Sequence, residues 1–236
     1  MNMDNNKDQS LSLIEEFQLL NSKLHNVLYK RVPLVLFNRA VEKSADYVEK
    51  NMRGAIIFSG SHKPNMWNCA ASKIKLNGYI AEFGVFQGES VNFLAKLIHP
   101  KQIFGFDSFK GLEEDYVLDH PKGSFNQNGI LPVVEENVFL VKGSFSESLP
   151  KWLNDNKGIF SLINIDCDTY ESTSTVLNNI GSDRIVSGTF ILFDEYFGFY
   201  GWEDCEFKAW QEYCYKNNVK YKYVAVCQMQ VLVEVL

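Results

Sequence analysis

The chain has 236 residues, 46% hydrophobic and 22% charged, an ordinary balance for a globular protein and long enough to bury a core without a disulfide or metal to hold it. A formal charge of −6 and a pI of about 5.3 argue against a nucleic-acid-binding surface, which needs clustered Lys and Arg. Residues 1–10 lack an apolar signal core, no apolar run reaches the roughly 18 residues of a membrane helix, and Cys69, Cys167, Cys205, Cys214 and Cys227 form no CxxC pair. A cytoplasmic protein with reduced thiols is expected, with no membrane and no nucleic-acid partner.

Residues 1–9 are polar and predict disorder. From 11 to 50 apolar residues recur at helical spacing, first Leu13, Phe17, Leu20 and Leu24, then Val35, Phe37, Val41, Ala45 and Val48. Two or three helices are expected, interrupted near Pro33. They form either a layer that simply covers a core, or a lid or homodimer surface. From Gly78 the texture changes to strands alternating with helices. Strands are expected at 79–83, 102–106, 138–141, 160–165 and 189–193, with helices at 90–98, 172–180 and 206–217. Residues 222–226 and 230–236 are two strands with almost nothing between them, so they pair antiparallel. The pattern predicts an α/β fold with a mainly parallel, seven-stranded, Rossmann-like sheet that ends in an antiparallel hairpin. Residues 1–75 form an N-terminal helical extension or lid and 76–236 the main domain. The stretch 110–137 is long and Gly/Pro-punctuated, as functional or mobile loops are.

Glu82-Phe-Gly84-Val-Phe-Gln-Gly88-Glu-Ser90 follows the first strand and opens a helix. Glycines there let the backbone approach a ligand, and the helix N-terminus offers free N–H groups. An acid at the end of the strand repels pyrophosphate. It suits a ligand with an amino group and hydroxyls, as S-adenosyl-L-methionine presents. Asp107 ends the second strand about 20 residues later, where an acid grips ribose hydroxyls, or caps a loop. Ser108 follows it. Gly143-Ser144-Phe145, after the third strand, is placed to flank an adenine ring. The fourth strand ends in Asp166-Cys167-Asp168 and the fifth in Asp194-Glu195. Adjacent strand ends thus aim four carboxylates at one place, which favours a hard divalent cation; one or two of the acids could cap helices instead. Tyr196-Phe-Gly-Phe-Tyr-Gly-Trp202 either walls a substrate pocket or closes the core edge. His25, His62, His99 and His120 have no mutual metal spacing.

Four blocks resemble a known family: Glu82-Phe-Gly-Val-Phe-Gln-Gly88, Phe106-Asp-Ser-Phe-Lys-Gly-Leu112, Ile165-Asp-Cys-Asp-Thr-Tyr-Glu-Ser-Thr173 and Phe193-Asp-Glu-Tyr196. They are similar to the macrocin, mycinamicin and novobiocin sugar O-methyltransferases, of the class I S-adenosylmethionine-dependent superfamily. The similarity covers roughly residues 78–236. It implies magnesium-dependent methyl transfer to a sugar hydroxyl, on a small molecule or linked in a glycan. It places Glu82, Gly84, Gly88, Ser90, Asp107, Ser108, Gly143, Ser144 and Phe145 at the cofactor. The metal falls to Asp194, Glu195 and an acid of the fourth strand, set here as Asp168, although spacing does not separate Asp166 from Asp168. The same two acids are the expected proton acceptors. The chain departs from the family in having Glu195 where Asp is usual and Cys167 where Gly is usual. Two other readings stand beside this one: a metal-dependent O-methyltransferase of catechol-like acceptors, and a non-catalytic Rossmann-like binding module.

Overall fold

The structure, a computed structural model, describes residues 18–24, 31–60 and 63–236. The expected disorder at 1–9, the helical positions Leu13 and Phe17, and His25 and His62 lie outside these residues. The strands are β1 (Ile56–Phe58), β2 (Tyr79–Phe83), β3 (Ile103–Asp107), β4 (Val138–Lys142), β5 (Phe160–Ile165), β6 (Phe190–Phe193), β7 (Tyr221–Cys227) and β8 (Gln230–Val235). The helices are α1 (Val32–Asn51), α2 (Lys63–Lys73), α3 (Glu89–Ile98), α4 (Phe145–Asp155), α5 (Tyr170–Ile180) and α6 (Glu206–Asn217). A further helical segment occupies 18–24.

The strands make one sheet in the order β1-β7-β8-β6-β5-β2-β3-β4. β8 runs antiparallel to both neighbours, and every other pairing is parallel. The architecture is the expected one with an eighth strand added. β1 pairs with β7 through only three residues, too short an apolar run to stand out in the sequence. The sheet therefore draws in residues well upstream of 76. Along β5 and β6, neighbouring residues serve opposite faces. Ile163 and Ile191 pack under α1, α4, α5 and α6; Leu162 and Leu192 pack under α2 and α3. Burying both faces is what makes the central strands read as continuous apolar runs.

Helix boundaries follow local chemistry. α3 buries Ser90, Val91, Leu94, Ala95 and Ile98, one face at helical spacing. α5 starts where Thr169 Oγ1 accepts the Ser172 amide at 3.2 Å, so neither nearby aspartate is spent as a cap. The break expected near Pro33 is a beginning: Pro33 sits in the first turn of α1, where its missing N–H costs nothing. α1 docks by a face that keeps Val48 of its apolar spacing against the core but turns other positions outward. Phe37 and Val41 are exposed. Ala40 and Ser44 are buried, and the Tyr47 ring packs against Trp202, Phe207 and Tyr223. The Tyr47 hydroxyl also bonds that of Tyr223 at 2.7 Å. The five cysteines are buried and form no disulfide. No helix among the described residues is long and apolar enough to cross a membrane.

Glu82 ties three of these elements together. It is fully buried on β2. Its Oε1 accepts the α3 hydroxyl of Ser90 at 2.8 Å, and its Oε2 accepts the β5 amide of Asn164 at 2.9 Å. Burial, only partly offset by those two bonds, pushes its carboxyl up to about 8. The folded protein therefore holds a proton that the unfolded chain releases near pH 4.5. The sign follows by linkage: between about pH 4.5 and 8, stability falls as pH rises. Glu82→Gln keeps the site neutral, and an Asn164 amide flip would present its unpartnered Oδ1 to the new NH₂ group. Over that window the wild type should lose about 1.4 kcal/mol per pH unit relative to Glu82→Gln. Denaturant unfolding of both proteins from pH 5 to 9 checks this, and parallel pH profiles would contradict it.

Candidate active site

The carboxyl ends of β2, β3, β5 and β6 open on a cavity of about 810 Å³, of small-molecule size. One wall is the glycine turn between β2 and α3. Gly84, Phe86 and Gly88 all hold left-handed backbone, with φ of 92°, 48° and 84°. At Gly84 the reason for glycine is close approach: a Cβ there would lie 1.6 Å from the Asp166 carbonyl oxygen. Asp107 holds the turn in this shape. Its Oδ2 accepts the Val85 and Phe86 amides, each at 2.8 Å, and its Oδ1 accepts the Phe109 amide at 2.7 Å. A carboxylate offers about four lone-pair directions, so one remains for a ligand.

Of the residues expected at the cofactor, Gly84, Ser90, Asp107, Ser108, Gly143, Ser144 and Phe145 line this cavity. Glu82 and Gly88 are not among its lining residues. Glu82 is turned inward on Ser90 and Asn164. Gly88 is the N-cap of α3 and supplies no capping side chain; a Cβ there would meet Pro132 at 3.5 Å. Residues 110–137 border the cavity with part of their length and are tied to themselves and to their surroundings. The Leu112 amide donates to the Ser124 carbonyl and the Tyr116 amide to that of His120, at 2.9 and 2.7 Å. Gly111, Leu112, Glu113, Glu114 and Phe125 of this stretch line the cavity.

The other wall is acidic. Oxygens of Asp166, Asp194 and Glu195 all lie within 4.8 Å of one another. Asp168 lines the same cavity outside that trio, so the geometry gathers Asp166, and not Asp168, with the strand-six pair. A tight bend separates the two. Asp168 is left-handed, with φ of 64°, and the Thr169 amide reaches back to the Cys167 carbonyl at 2.7 Å. The Cys167 thiol points into the core, 3.5 Å from Thr173 Oγ1, as alternation along the chain predicts. Burial, then the neighbouring Asp194, pushes Asp166 and Glu195 well above the usual carboxylate range. The same two causes raise Asp168 to about 6, against the opposing pull of His120 and Lys63.

Four residues of this region carry no motif in the sequence. The Lys63 Nζ lies 2.5 Å from Asp194 Oδ2. Burial works against its charge, but Asp194 first, then Asp166 and Glu195, together outweigh that and raise it. The Gln230 amide donates to Asp194 Oδ1. Glu206, fully buried, accepts the Glu195 amide at 3.1 Å. His120 acts on Asp168 from the 110–137 stretch. Only the Lys63-Pro64 pair, a helix-start signal, could have drawn attention. The aromatic run 196–202 resolves as core: Tyr196, Phe197, Phe199 and Trp202 are buried, and none of the run lines the cavity.

Residues 60–233 match the family model of the macrocin-O-methyltransferases (TylF). The chain belongs to that family. It is therefore an S-adenosylmethionine-dependent O-methyltransferase. The 8-demethyl-8-(2,3-dimethoxy-alpha-L-rhamnosyl)-tetracenomycin-C 4'-O-methyltransferase of Streptomyces olivaceus is 26% identical over 207 residues, covering 75% of this chain and 78% of that protein. Two solved structures share the fold. The calicheamicin methyltransferase CalS11 has a TM-score of 0.59 at 20% identity, over 72% of this chain and 77% of that one. The O-methyltransferase NovP has a TM-score of 0.55 at 19% identity, over 73% and 78%.

Asp107 sits where this methyltransferase fold meets its own turn, so its removal should register twice. Asp107→Ala is expected to lower the melting temperature and to weaken S-adenosylhomocysteine binding by about 1.5–3 kcal/mol per charge-assisted bond lost to the ligand. Thermal unfolding and calorimetry on the same protein check both. A lower melting temperature with unchanged affinity would confine Asp107 to bracing the turn.

Proposed function

We propose that this enzyme methylates a sugar hydroxyl, with a divalent ion, most simply magnesium, held by Asp166, Asp194 and Glu195, and with Asp168 as proton acceptor. The observation that carries the reading is the three-carboxylate group on the wall facing the glycine turn. The residues suit a hard cation: all three donors are oxygen, and the buried Glu195 Oε2 has no hydrogen-bond partner. The residues around the turn suit the cofactor too, because the start of α3, whose Glu89 and Ser90 line the cavity, has no capping side chain and leaves N–H groups.

S-adenosylmethionine supplies an electrophilic methyl group, and a divalent ion supplies Lewis-acid polarisation of an otherwise weakly acidic hydroxyl. The chain does the rest. Asp168, raised to about 6, is matched to accepting a proton near neutral pH. Gly84 brings the cofactor turn up against the backbone of Asp166, so the walls that hold donor and acceptor adjoin. The sugar reading draws on the relatives: one methylates a rhamnosyl unit of tetracenomycin, and CalS11 is described as a TDP-rhamnose 3'-O-methyltransferase. It also draws on the aromatic run 196–202, of which Tyr196, Phe197, Phe199 and Trp202 are buried and none lines the cavity, so it offers no ring to stack a catechol there.

The charge of the cavity bears on the acceptor. Among the described residues its lining carries nine carboxylates against one lysine, Lys63. A nucleotide-diphosphate sugar would bring two more negative charges into that field, whereas a neutral glycoside brings none. The acceptor we infer is a glycoside.

Three outcomes test the proposal. EDTA should abolish turnover and magnesium restore it, with S-adenosylhomocysteine affinity unchanged throughout. Asp194→Asn should lower kcat about 10²–10⁴-fold, the rate equivalent of several kcal/mol of Lewis-acid stabilisation. In product mass spectrometry, neutral rhamnosides should be methylated in preference to the nucleotide-linked sugar. Full activity in EDTA would sink the metal reading, and a preference for the nucleotide sugar would overturn the acceptor assignment.

A further inference from the structure

Lys63 is the only cation on a cavity wall crowded with carboxylates, among the described residues. Its Nζ sits 2.5 Å from Asp194 Oδ2; its side chain is 46% exposed, while that of Asp194 is 3% exposed. The other Asp194 oxygen is already engaged by the Gln230 amide. Asp194 is also one of the three acids that converge within 4.8 Å. The oxygen that Lys63 holds is therefore the one Asp194 oxygen not facing a neutral donor from the protein.

A buried group of like charges needs a compensating charge to persist in a folded protein. A divalent ion would meet that need and so would an ammonium, but not both on the same oxygen, because two cations at one ligand atom repel each other strongly. The two candidates differ in how they are tethered. Lys63 is the first residue of α2, on a flexible four-carbon stem that is half in solvent. Rotation of that stem can take the ammonium off Asp194 without moving the helix.

We propose that Lys63 is a built-in counter-ion: it neutralises Asp194 in the ion-free enzyme and is displaced when a divalent ion binds Asp166, Asp194 and Glu195. Ion and lysine exclude one another, so Lys63 sets the ion affinity of the site. The carboxylates stay charge-compensated in both forms. This inference rests on the metal reading above, and its test separates the two.

Mn²⁺ is titrated into the wild type and Lys63→Met, with free Mn²⁺ followed by electron paramagnetic resonance. Loss of the competitor should tighten Mn²⁺ binding in Lys63→Met about tenfold. A second measurement uses the wild type alone: reductive methylation of Lys63, read by peptide mass spectrometry, should be faster with Mn²⁺ than in EDTA. Equal or weaker Mn²⁺ affinity in Lys63→Met, or labelling of Lys63 that Mn²⁺ does not change, would overturn the competition while leaving the metal site standing. Failure of both proteins to bind Mn²⁺ would remove the metal site and this inference with it.

Discussion

The backbone of Gly84 runs so close to the carbonyl of Asp166 that no side chain fits between them. Much of the active site depends on that contact. The Gly84 amide donates to the Phe106 carbonyl of β3, and the Asp166 amide donates to the Phe83 carbonyl of β2, so the three strand ends are locked in register as the chain leaves the sheet. One strand end then turns into the glycine turn and the next into the first acid of the three-carboxylate group. Methyl transfer needs donor and acceptor within a few ångströms of each other. A glycine at this position brings the turn against the acid wall, and the Asp107 carboxylate, bonded to the next two amides, keeps the turn from relaxing.

The same closeness creates an electrostatic difficulty. Asp166, Asp168, Asp194 and Glu195 share one cavity, with Glu206 buried behind them. Burial raises the proton affinity of Asp166, Asp168, Glu195 and Glu206, and the charge of Asp194 adds to this. The compensation comes from different elements: Lys63 from α2, Gln230 from β8 and His120 from the 110–137 stretch. A site assembled this way stores unfavourable electrostatics in the folded state and is poised to gain from a cation, which is the behaviour expected of functional rather than purely stabilising charge clusters.

Legibility differed by element. The central strands are unmistakable because both of their faces are covered, so β5 reads Phe-Ser-Leu-Ile-Asn-Ile, buried throughout. β1 is not, because three edge residues pair with β7 on one side only and Ile56 and Ile57 remain exposed. The aromatic run after β6 was ambiguous in the sequence, since a ring serves a pocket or a core equally well. Packing of Tyr196 on Phe193 and Phe207, and of Trp202 on Tyr47 and Phe207, makes it core. Glu82 reads as a cofactor contact from its place at the strand end; as the last-but-one residue of β2 it faces Ser90 and Asn164, which only the tertiary structure shows.

By itself the sequence determined the class of fold, the glycine turn and the acids at two adjacent strand ends, because these are contiguous and obey short-range rules: strand periodicity, glycine spacing and the order of strand and helix. Only the tertiary structure decided which acids meet. Asp166 and Asp168 are two residues apart and chemically alike, and the left-handed bend at Asp168 sends one into the trio and leaves the other beside it. It alone brought in Lys63, Gln230 and Glu206, which are distant along the chain from the acids they serve or carry no spacing that marks them. The physical reason is the range of the forces involved. Backbone preferences act over a few residues and leave a pattern in the sequence, whereas charge compensation acts through space between elements that meet only once the sheet has formed.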